Sequence, residues 1–412
     1  MNVGFVGLGK LGLPCALAVE ANGHSVCGYD IDTRVKEILE TKVLPYKEIW
    51  AQEHLDNSKI DFVSLREVVK RSDVIFVPIQ TPHDPLYEGN CRIPDTRVDF
   101  DYTWLKNGMQ DLSNAIDAEG KDKVVIIIST VLPGTVDAEI RPVISEKVKL
   151  CYNPFFIAMG TTMRDFLNPE FVLFGVDDEN AAKTAENLYR TLHSRPFFKT
   201  SIKNAELIKV CYNTFIGMKI VFINTVMEIC HKTGADVDAV SDALSLATER
   251  IISDKYLRGG MGDGGGCHPR DNIALSWLAR KLDLSHDFFE DLMVAREDQT
   301  EWLAKLMEEH DLPKVILGKA FKPETNLVVG SPAVLLHRIL EERGNSVVSY
   351  DPHVDDYKPA FGKSVFLIGT RHDEFAEWKF PDGSVVIDPH RYIPDQAGIK
   401  VIRIGQAQSV NK

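Results

Sequence analysis

The sequence predicts an α/β protein, with two doubly wound domains joined by a long central helix. Three observations predict it. Residues 1 to about 195 alternate short apolar segments, at 3–6, 25–29, 74–77, 124–129 and 171–174, with helical stretches. That alternation is the pattern of a parallel sheet covered by helices on both faces. From 205 to about 247 the pattern becomes one long helix, broken at Gly234, with Leu207, Val210, Cys211, Thr214, Phe215 and Met218 recurring at three- and four-residue spacing. From Lys314 a second α/β segment echoes the first: VILGKAF follows VGFVGLG, GNSVVSYDPH follows GHSVCGYDID, and SVFLIGT follows DVIFVPI. These features set expected domain limits of 1–195, 196–300 and 301–412, and the Pro-, Asp- and Gly-rich residues 83–100 read as a loop.

Composition narrows the classes of function. A chain of 412 residues, 44% of them hydrophobic, can build two or three cored domains. A net charge of −13 argues against binding nucleic acid or an anionic membrane. Seven scattered cysteines without CxxC spacing fit free thiols in a reducing cytoplasm. No leader resembling a secretion signal and no run of about 18 apolar residues is found, so no membrane span is expected.

Gly7-x-Gly9-x-x-Gly12 follows the first strand and opens an apolar helix, so Gly7, Leu8, Gly9, Lys10, Leu11 and Gly12 form a candidate Rossmann dinucleotide loop. The glycines allow a tight turn, backbone approach to a pyrophosphate and close helix–strand packing. Asp30 ends the second strand, where a carboxylate accepts a ribose 2′-hydroxyl and repels a 2′-phosphate; NAD is therefore expected over NADP. Thr81 and the pair Ser129 and Thr130 follow apolar strands, at the sheet edge that faces a ligand crevice. On position alone, capping of the following helices is the favoured reading of these hydroxyls. The second α/β segment lacks the glycine motif and is free to hold another ligand.

Residues 264–272, GGGCHPRDN, place Cys267 after a glycine run that includes Gly264. Glycines bring backbone close to a ligand, and an accessible thiolate is a nucleophile. Cys267, His268 and Asp271 also have ligand-like spacing, but no second Cys/His pair accompanies them, so no metal is expected. Glu206, Lys209 and Asn213 lie at i, i+3 and i+7 on the central helix. Spacing alone favours a solvated face for them; a desolvated lysine there would transfer protons or stabilise an oxyanion.

Together these segments resemble the UDP-glucose/GDP-mannose dehydrogenase family. The resemblance is carried by GFVGLGKLGLP, QTP at 80–82, STVLPGT at 129–135, YNP at 152–154, RDFLNPE at 164–170, AELIKVCYNTF at 205–215, GGGCHPRDN, GKAFKPET at 318–325 and YDP at 350–352. It implies two NAD-dependent oxidations of a nucleotide-sugar primary alcohol to the uronic acid, with UDP-glucose the default substrate. Cys267 is implied to form the thiohemiacetal and thioester. Lys209 and Asp271 are implied to act through a water or an oxyanion, with Asn213 and Thr130 orienting sugar and water. Arg250, Tyr256, Gly264 and Lys322 join Lys209 and Asn213 as implied substrate contacts. A homodimer through the central helix is implied, with the C-terminal domain binding sugar nucleotide near Cys267 between the α/β lobes. A diverged member that acts on another sugar nucleotide or stops at the aldehyde, and a weakly catalytic binding relative, are the alternatives.

Departures from the family pattern bear on that chemistry. Two family glutamates after Tyr-Asn-Pro are here Phe155 and Met159. Asp, Arg and Glu before Ser-Pro are Leu327, Val329 and Gly330, and an aromatic and a serine before the cysteine are Asp263 and Gly266. Asp165 and Asp263 are the acids available to substitute.

Overall fold

In chain order the elements of this computed structural model are β1 (Asn2–Val6), α1 (Gly12–Ala21), β2 (Ser25–Tyr29), α2 (Arg34–Thr41), α3 (Ala51–Asn57), β3 (Asp61–Phe62), α4 (Leu65–Arg71), β4 (Val74–Val77), α5 (Thr103–Glu119), β5 (Lys123–Ile127), β6 (Val148–Tyr152), α6 (Thr162–Leu167), β7 (Val172–Val176), α7 (Glu179–Leu192), β8 (Phe197–Thr200), α8 (Ile202–Thr233), α9 (Val237–Ser245), α10 (Cys267–Lys281), α11 (Phe288–Glu308), β9 (Lys314–Leu317), α12 (Pro332–Glu342), β10 (Val347–Tyr350), β11 (Val365–Ile368), β12 (Val385–Asp388) and β13 (Lys400–Arg403). The structure describes residues 1–406 except 83, 249–255, 257, 263–264 and 284–286. It divides into two compact units: Met1–Pro82 with Phe100–Cys211, and His83–Asp99 with Tyr212–Lys412.

The first unit holds one sheet in the order β3-β2-β1-β4-β5-β6-β7-β8, parallel except for the β6–β7 pair. Its first six strands have the 3-2-1-4-5-6 order of a dinucleotide fold. Side chains explain the two-sided cover. Val74 and Phe76 enter one apolar cluster and Ile75 and Val77 the other, the period of two that sends successive residues to opposite faces. Helix α1 is buried from Gly12 to Val19, which its apolar sequence LPCALAV requires.

The second unit holds a parallel sheet in the order β10-β9-β11-β12-β13. Relative to the first sheet it lacks the outermost third strand and has the 2-1-3-4-5 order of the other common doubly wound fold. The same alternation covers it: Ile316 and Leu367 pack on one side, Val315, Leu317 and Phe366 on the other. The repeat legible in the sequence maps β9, β10 and β11 onto β1, β2 and β4.

The central helical segment breaks where expected: α8 ends at Thr233, Gly234 has φ +79°, and Asp236 caps α9 through the N–H groups of Asp238 and Ala239. One expectation is corrected. Among the described residues, α8 is long and apolar enough to cross a membrane by length and composition. Its buried polar side chains bind protein, as in a core helix: Asn224 donates to the Gly262 carbonyl and accepts from the Gly260 N–H. Residues 84–99 are a loop, as read, but they belong to the second unit.

Candidate active site

The glycine loop of the first unit is built by exclusion of Cβ atoms. Gly7 has φ +111°, and its N–H donates to the Tyr29 carbonyl at 2.8 Å. A Cβ on Gly12 would stand 2.2 Å from the Gly7 carbonyl oxygen, whereas one on Gly9 would meet nothing within 4 Å. Gly12 is therefore needed for packing, and Gly9 leaves the loop open to an approaching group. Helix α1 has no side-chain cap, which leaves its N-terminal end suited to a phosphate. Lys10 is exposed and Leu11 half-buried beside it. The Leu8 side chain is buried in the core, so only its backbone faces the loop; its N–H donates to Asp30 Oδ2 at 2.7 Å. Asp30 Oδ1 accepts from the Asp32 N–H at 2.8 Å. Asp30 thus organises the loop as well as standing at the strand end. The neighbouring Arg34 is held by Asp32 at 2.7 Å.

Beyond β4 and β5 the hydroxyls stitch loops together and cap no helix. Thr81 Oγ1 donates to the Thr130 carbonyl at 2.8 Å, Ser129 Oγ donates to the Ile79 carbonyl, and Thr130 is half-buried.

On α8 the solvated reading is overturned. Glu206, Lys209 and Asn213 are 1%, 7% and 7% exposed. Glu206 accepts from the N–H groups of Gly134 at 2.6 Å and Val136 at 2.8 Å, holding the loop after β5. Burial raises the Glu206 carboxyl above its ordinary range, opposed by those two bonds. Lys209 Nζ lies 5.3 Å from the centre of the Phe156 ring. Phe155, the next residue back, sets its ring tilted against Phe166 with centres 5.3 Å apart and packs on the core, and Met159 is half-buried. Asp165 accepts from the Ala158 N–H and Thr161 Oγ1, so this acid organises its own loop.

In the second unit Cys267 is exposed and begins α10. Asp271, one turn on, is fully buried. Its Oδ2 accepts from Asn213 Nδ2 at 2.6 Å and its Oδ1 from the Arg270 guanidinium at 3.0 Å. Asn213 and Asp271 are therefore a bonded pair, which their separation of 58 residues does not announce. With both Asp271 oxygens engaged, Cys267, His268 and Asp271 do not form a ready metal site. Glu324, His353 and His372 do come together, within 4.8 Å. There His372 Nδ1 accepts from the Glu324 N–H at 3.0 Å and Nε2 meets Asp351 Oδ2 at 3.1 Å, so both ring nitrogens are already used. Lys322 is half-buried, its Nζ 5.6 Å from the Phe321 ring centre, and Tyr256 is exposed with φ +63°. Arg250, Asp263 and Gly264 lie outside the described residues.

Sequence reasoning missed the Glu324–His353–His372–Asp351 cluster, whose members come from three separate loops. It also missed the contribution of 84–99 to the second unit; the arginines in that loop were the available signal.

Comparison with known proteins agrees with this geometry. Residues 1–193 match the NAD binding domain of the UDP-glucose/GDP-mannose dehydrogenase family, and residues 203–296 match its central domain. The chain belongs to this family. As a UDP-glucose/GDP-mannose dehydrogenase family member it is an NAD-dependent nucleotide-sugar dehydrogenase. It is 28% identical to the GDP-mannose 6-dehydrogenase of Pseudomonas aeruginosa over 86% of this chain and 82% of that one. It is 29% identical to the UDP-glucose 6-dehydrogenase TuaD of Bacillus subtilis over 85% and 76%. A UDP-glucose dehydrogenase from the hyperthermophilic archaeon Pyrobaculum islandicum superposes with a TM-score of 0.85 at 25% identity, covering 99% and 98% of the two chains. The glycine loop, the open side at Gly9 and the strand-end Asp30 fit the family's NAD.

Proposed function

We propose that this family member oxidises the C6 alcohol of a nucleotide sugar to the uronic acid through Cys267, with UDP-glucose the default substrate. NAD, when bound, accepts a hydride in each of two oxidations. In the first, the alcohol proton leaves through water near Lys209, whose ammonium stabilises the alkoxide, and C6 becomes an aldehyde. The Cys267 thiolate then adds to C6. The new oxyanion is met by the cationic Lys209 and the Asn213 amide, which Asp271 holds in place. Loss of the second hydride leaves a thioester on Cys267, and water cleaves it to release the acid and the thiolate.

The observation that carries this reading is the pairing of an exposed cysteine at a helix start with a buried Asn213–Asp271 bond one turn along. It is joined by burial of Lys209, one turn from Asn213 on α8. A cytoplasmic homodimer accompanies the proposal, supported by the scattered cysteines and by Phe215 and Phe222, exposed on α8.

One observation favours a second reading, in which the acyl-enzyme accumulates. Phe155 occupies a position where the family carries a glutamate, and its ring is packed on Phe166. It cannot activate water. The test is NADH yield on a panel of sugar nucleotides. Two NADH per substrate support the full reaction; a burst with an acyl adduct on Cys267 supports the second reading; binding without NADH contradicts both. Lys209→Ala should lower kcat by about a hundredfold with a smaller change in KM. An unchanged kcat would remove Lys209 from the chemistry.

A further inference from the structure

Five residues beyond the family motifs, Gly89, Asn90, Arg296, Val329 and Gly330, bear on the backbone around Cys267, all within the second unit. Gly330 has φ +70°, and a Cβ there would stand 2.2 Å from Gly266 Cα and 2.7 Å from the Gly265 carbonyl carbon. Val329 closes the same surface: a Cβ on Gly266 would meet its Cγ1 at 2.8 Å. The two residues before Cys267 therefore lie flush on 329–330. A glutamate at 330 would need space that the glycine run occupies. The departure from the family pattern here is a steric match between two segments.

Gly330 is gripped on both backbone sides. Its N–H donates to Asn90 Oδ1 at 2.8 Å. Its carbonyl accepts from Arg296 Nη2 at 3.3 Å, and the same nitrogen donates to the Gly89 carbonyl at 3.0 Å. Arg296 is 2% exposed, so these bonds form out of water, where loss of a partner is most costly. Gly89 (φ +74°) packs in turn on the ring of Pro269, two residues after Cys267: a Cβ there would meet Pro269 Cβ at 2.5 Å. Residues 84–99 are anchored for this task. Arg97, its side chain 3% exposed, reaches Glu290 at 2.8 Å, and Arg92 reaches Glu342 at 2.9 Å.

We infer that the 84–99 loop and Arg296 form a buttress that positions Cys267, with Asn90 and Arg296 as its positioning residues. The inference rests on Cys267 being the nucleophile of the proposed reaction. Neither residue touches substrate; both act through Gly330 and the Gly265–Gly266 backbone. A displacement of about 1 Å in a reacting group can cost on the order of a hundredfold in rate. A thiol held at a helix N-terminus is also more reactive than one displaced from it.

The test uses full-length Asn90→Ala, Arg296→Met and Arg296→Lys, each checked for the parental circular dichroism spectrum. Iodoacetamide alkylation at Cys267 is followed by mass spectrometry, with the exposed Cys211 as internal control. kcat and KM are measured on UDP-glucose. The buttress predicts slower alkylation at Cys267 but not at Cys211. It predicts kcat down by about tenfold or more, KM nearly unchanged, and partial recovery in Arg296→Lys over Arg296→Met. A residue with only a stabilising role would lower the melting temperature and leave native-state alkylation alone. Folded Asn90→Ala and Arg296→Met proteins with parental Cys267 alkylation would overturn the inference. If the parental protein oxidises no nucleotide sugar, the proposed function fails, and the alkylation comparison still decides the buttress.

Discussion

The two α/β regions use one device for opposite ends. In each, an aspartate at the end of the second strand accepts hydrogen bonds from the loop after the first strand. Asp30 takes the N–H of Leu8, and Asp351 takes the N–H groups of Lys319 and Ala320 at 2.6 and 2.9 Å. In the first unit the loop turns directly into α1, which carries no side-chain cap, and Gly9 faces open space. In the second unit the place of Gly9 is taken by the buried Ala320, Gly318, the counterpart of Gly7, is pressed against Thr370, and the chain runs on for more than ten residues before α12 begins. That helix is already capped by Ser331 Oγ. The fully buried His372 then fills the crevice behind Asp351. One copy keeps a helix N-terminus ready for a pyrophosphate; the other uses the same scaffold to hold the Lys322 loop. A repeat in sequence thus need not repeat a ligand.

The sharpest way to break this comparison is at Gly12. Gly12→Ala places a Cβ 2.2 Å from the Gly7 carbonyl oxygen. NAD affinity should fall by about a hundredfold or more, and overpacking should cost about 1–3 kcal/mol of stability. Calorimetric titration with NAD checks it; an affinity within twofold of the parent would show that the loop is not the cofactor's seat. Alkylation of Cys267, which the second unit controls, should not change.

Asp351→Asn should act on the other copy alone. It puts an amide among donors that need an acceptor, and a loss of about 2–3 kcal/mol is expected, with NAD affinity preserved. Burial pushes the Asp351 carboxyl up, but bonds from His372 and from the Ala320, Lys319 and His353 N–H groups outweigh this and hold it well below the usual carboxylate range. A carboxyl depressed in the folded state contributes stability above its unfolded pKa, about 3.9, and loses it as pH falls further. Parental stability should therefore drop below about pH 4 more steeply than that of Asp351→Asn. Parallel pH profiles in chemical denaturation would contradict the role given to Asp351.

Asp30→Ala should have the smallest effect of the three. NAD binding should weaken by about tenfold, a change of about 1.4 kcal/mol, and the NAD/NADP preference should narrow as the repulsion of a 2′-phosphate is removed. Because Asp30 also holds the Leu8 N–H, NADP affinity should not rise above the parental NAD value. Affinities for both cofactors that ignore the substitution would remove Asp30 from selection.

Much of this was legible because it is local. The glycine motif, the strands at 25–29 and 74–77 and the break at Gly234 follow from turn chemistry and period alone. Strand β6, a short apolar run, and β3, two residues long, carry too little pattern to be read. Spacing alone could not show the burial of Lys209, because the stripe on α8 is the same whether its polar neighbours meet water or protein; the family resemblance, which turns Lys209 and Asn213 away from solvent, was the usable signal. The bond between Asn213 and Asp271 joins separate helices, and spacing along one helix says nothing of it. The residues of 84–99 looked like any polar loop. Their placement in the second unit depends on long-range partners, Glu290, Glu297, Glu301 and Glu342, that only folding brings to them.

The central claim is that cofactor binding belongs to the first region and covalent chemistry to Cys267 in the second. Single-turnover reaction of UDP-glucose with excess NAD, read by NADH absorbance and by intact-protein mass spectrometry of the parent and Cys267→Ser, tests it most directly. The account predicts a transient acyl adduct on Cys267 that decays to uronic acid, with two NADH per sugar, in the parent. In Cys267→Ser it predicts no adduct, acid formation reduced by about a thousandfold or more, and NAD binding intact. Uronic acid formed by Cys267→Ser at the parental rate would contradict it.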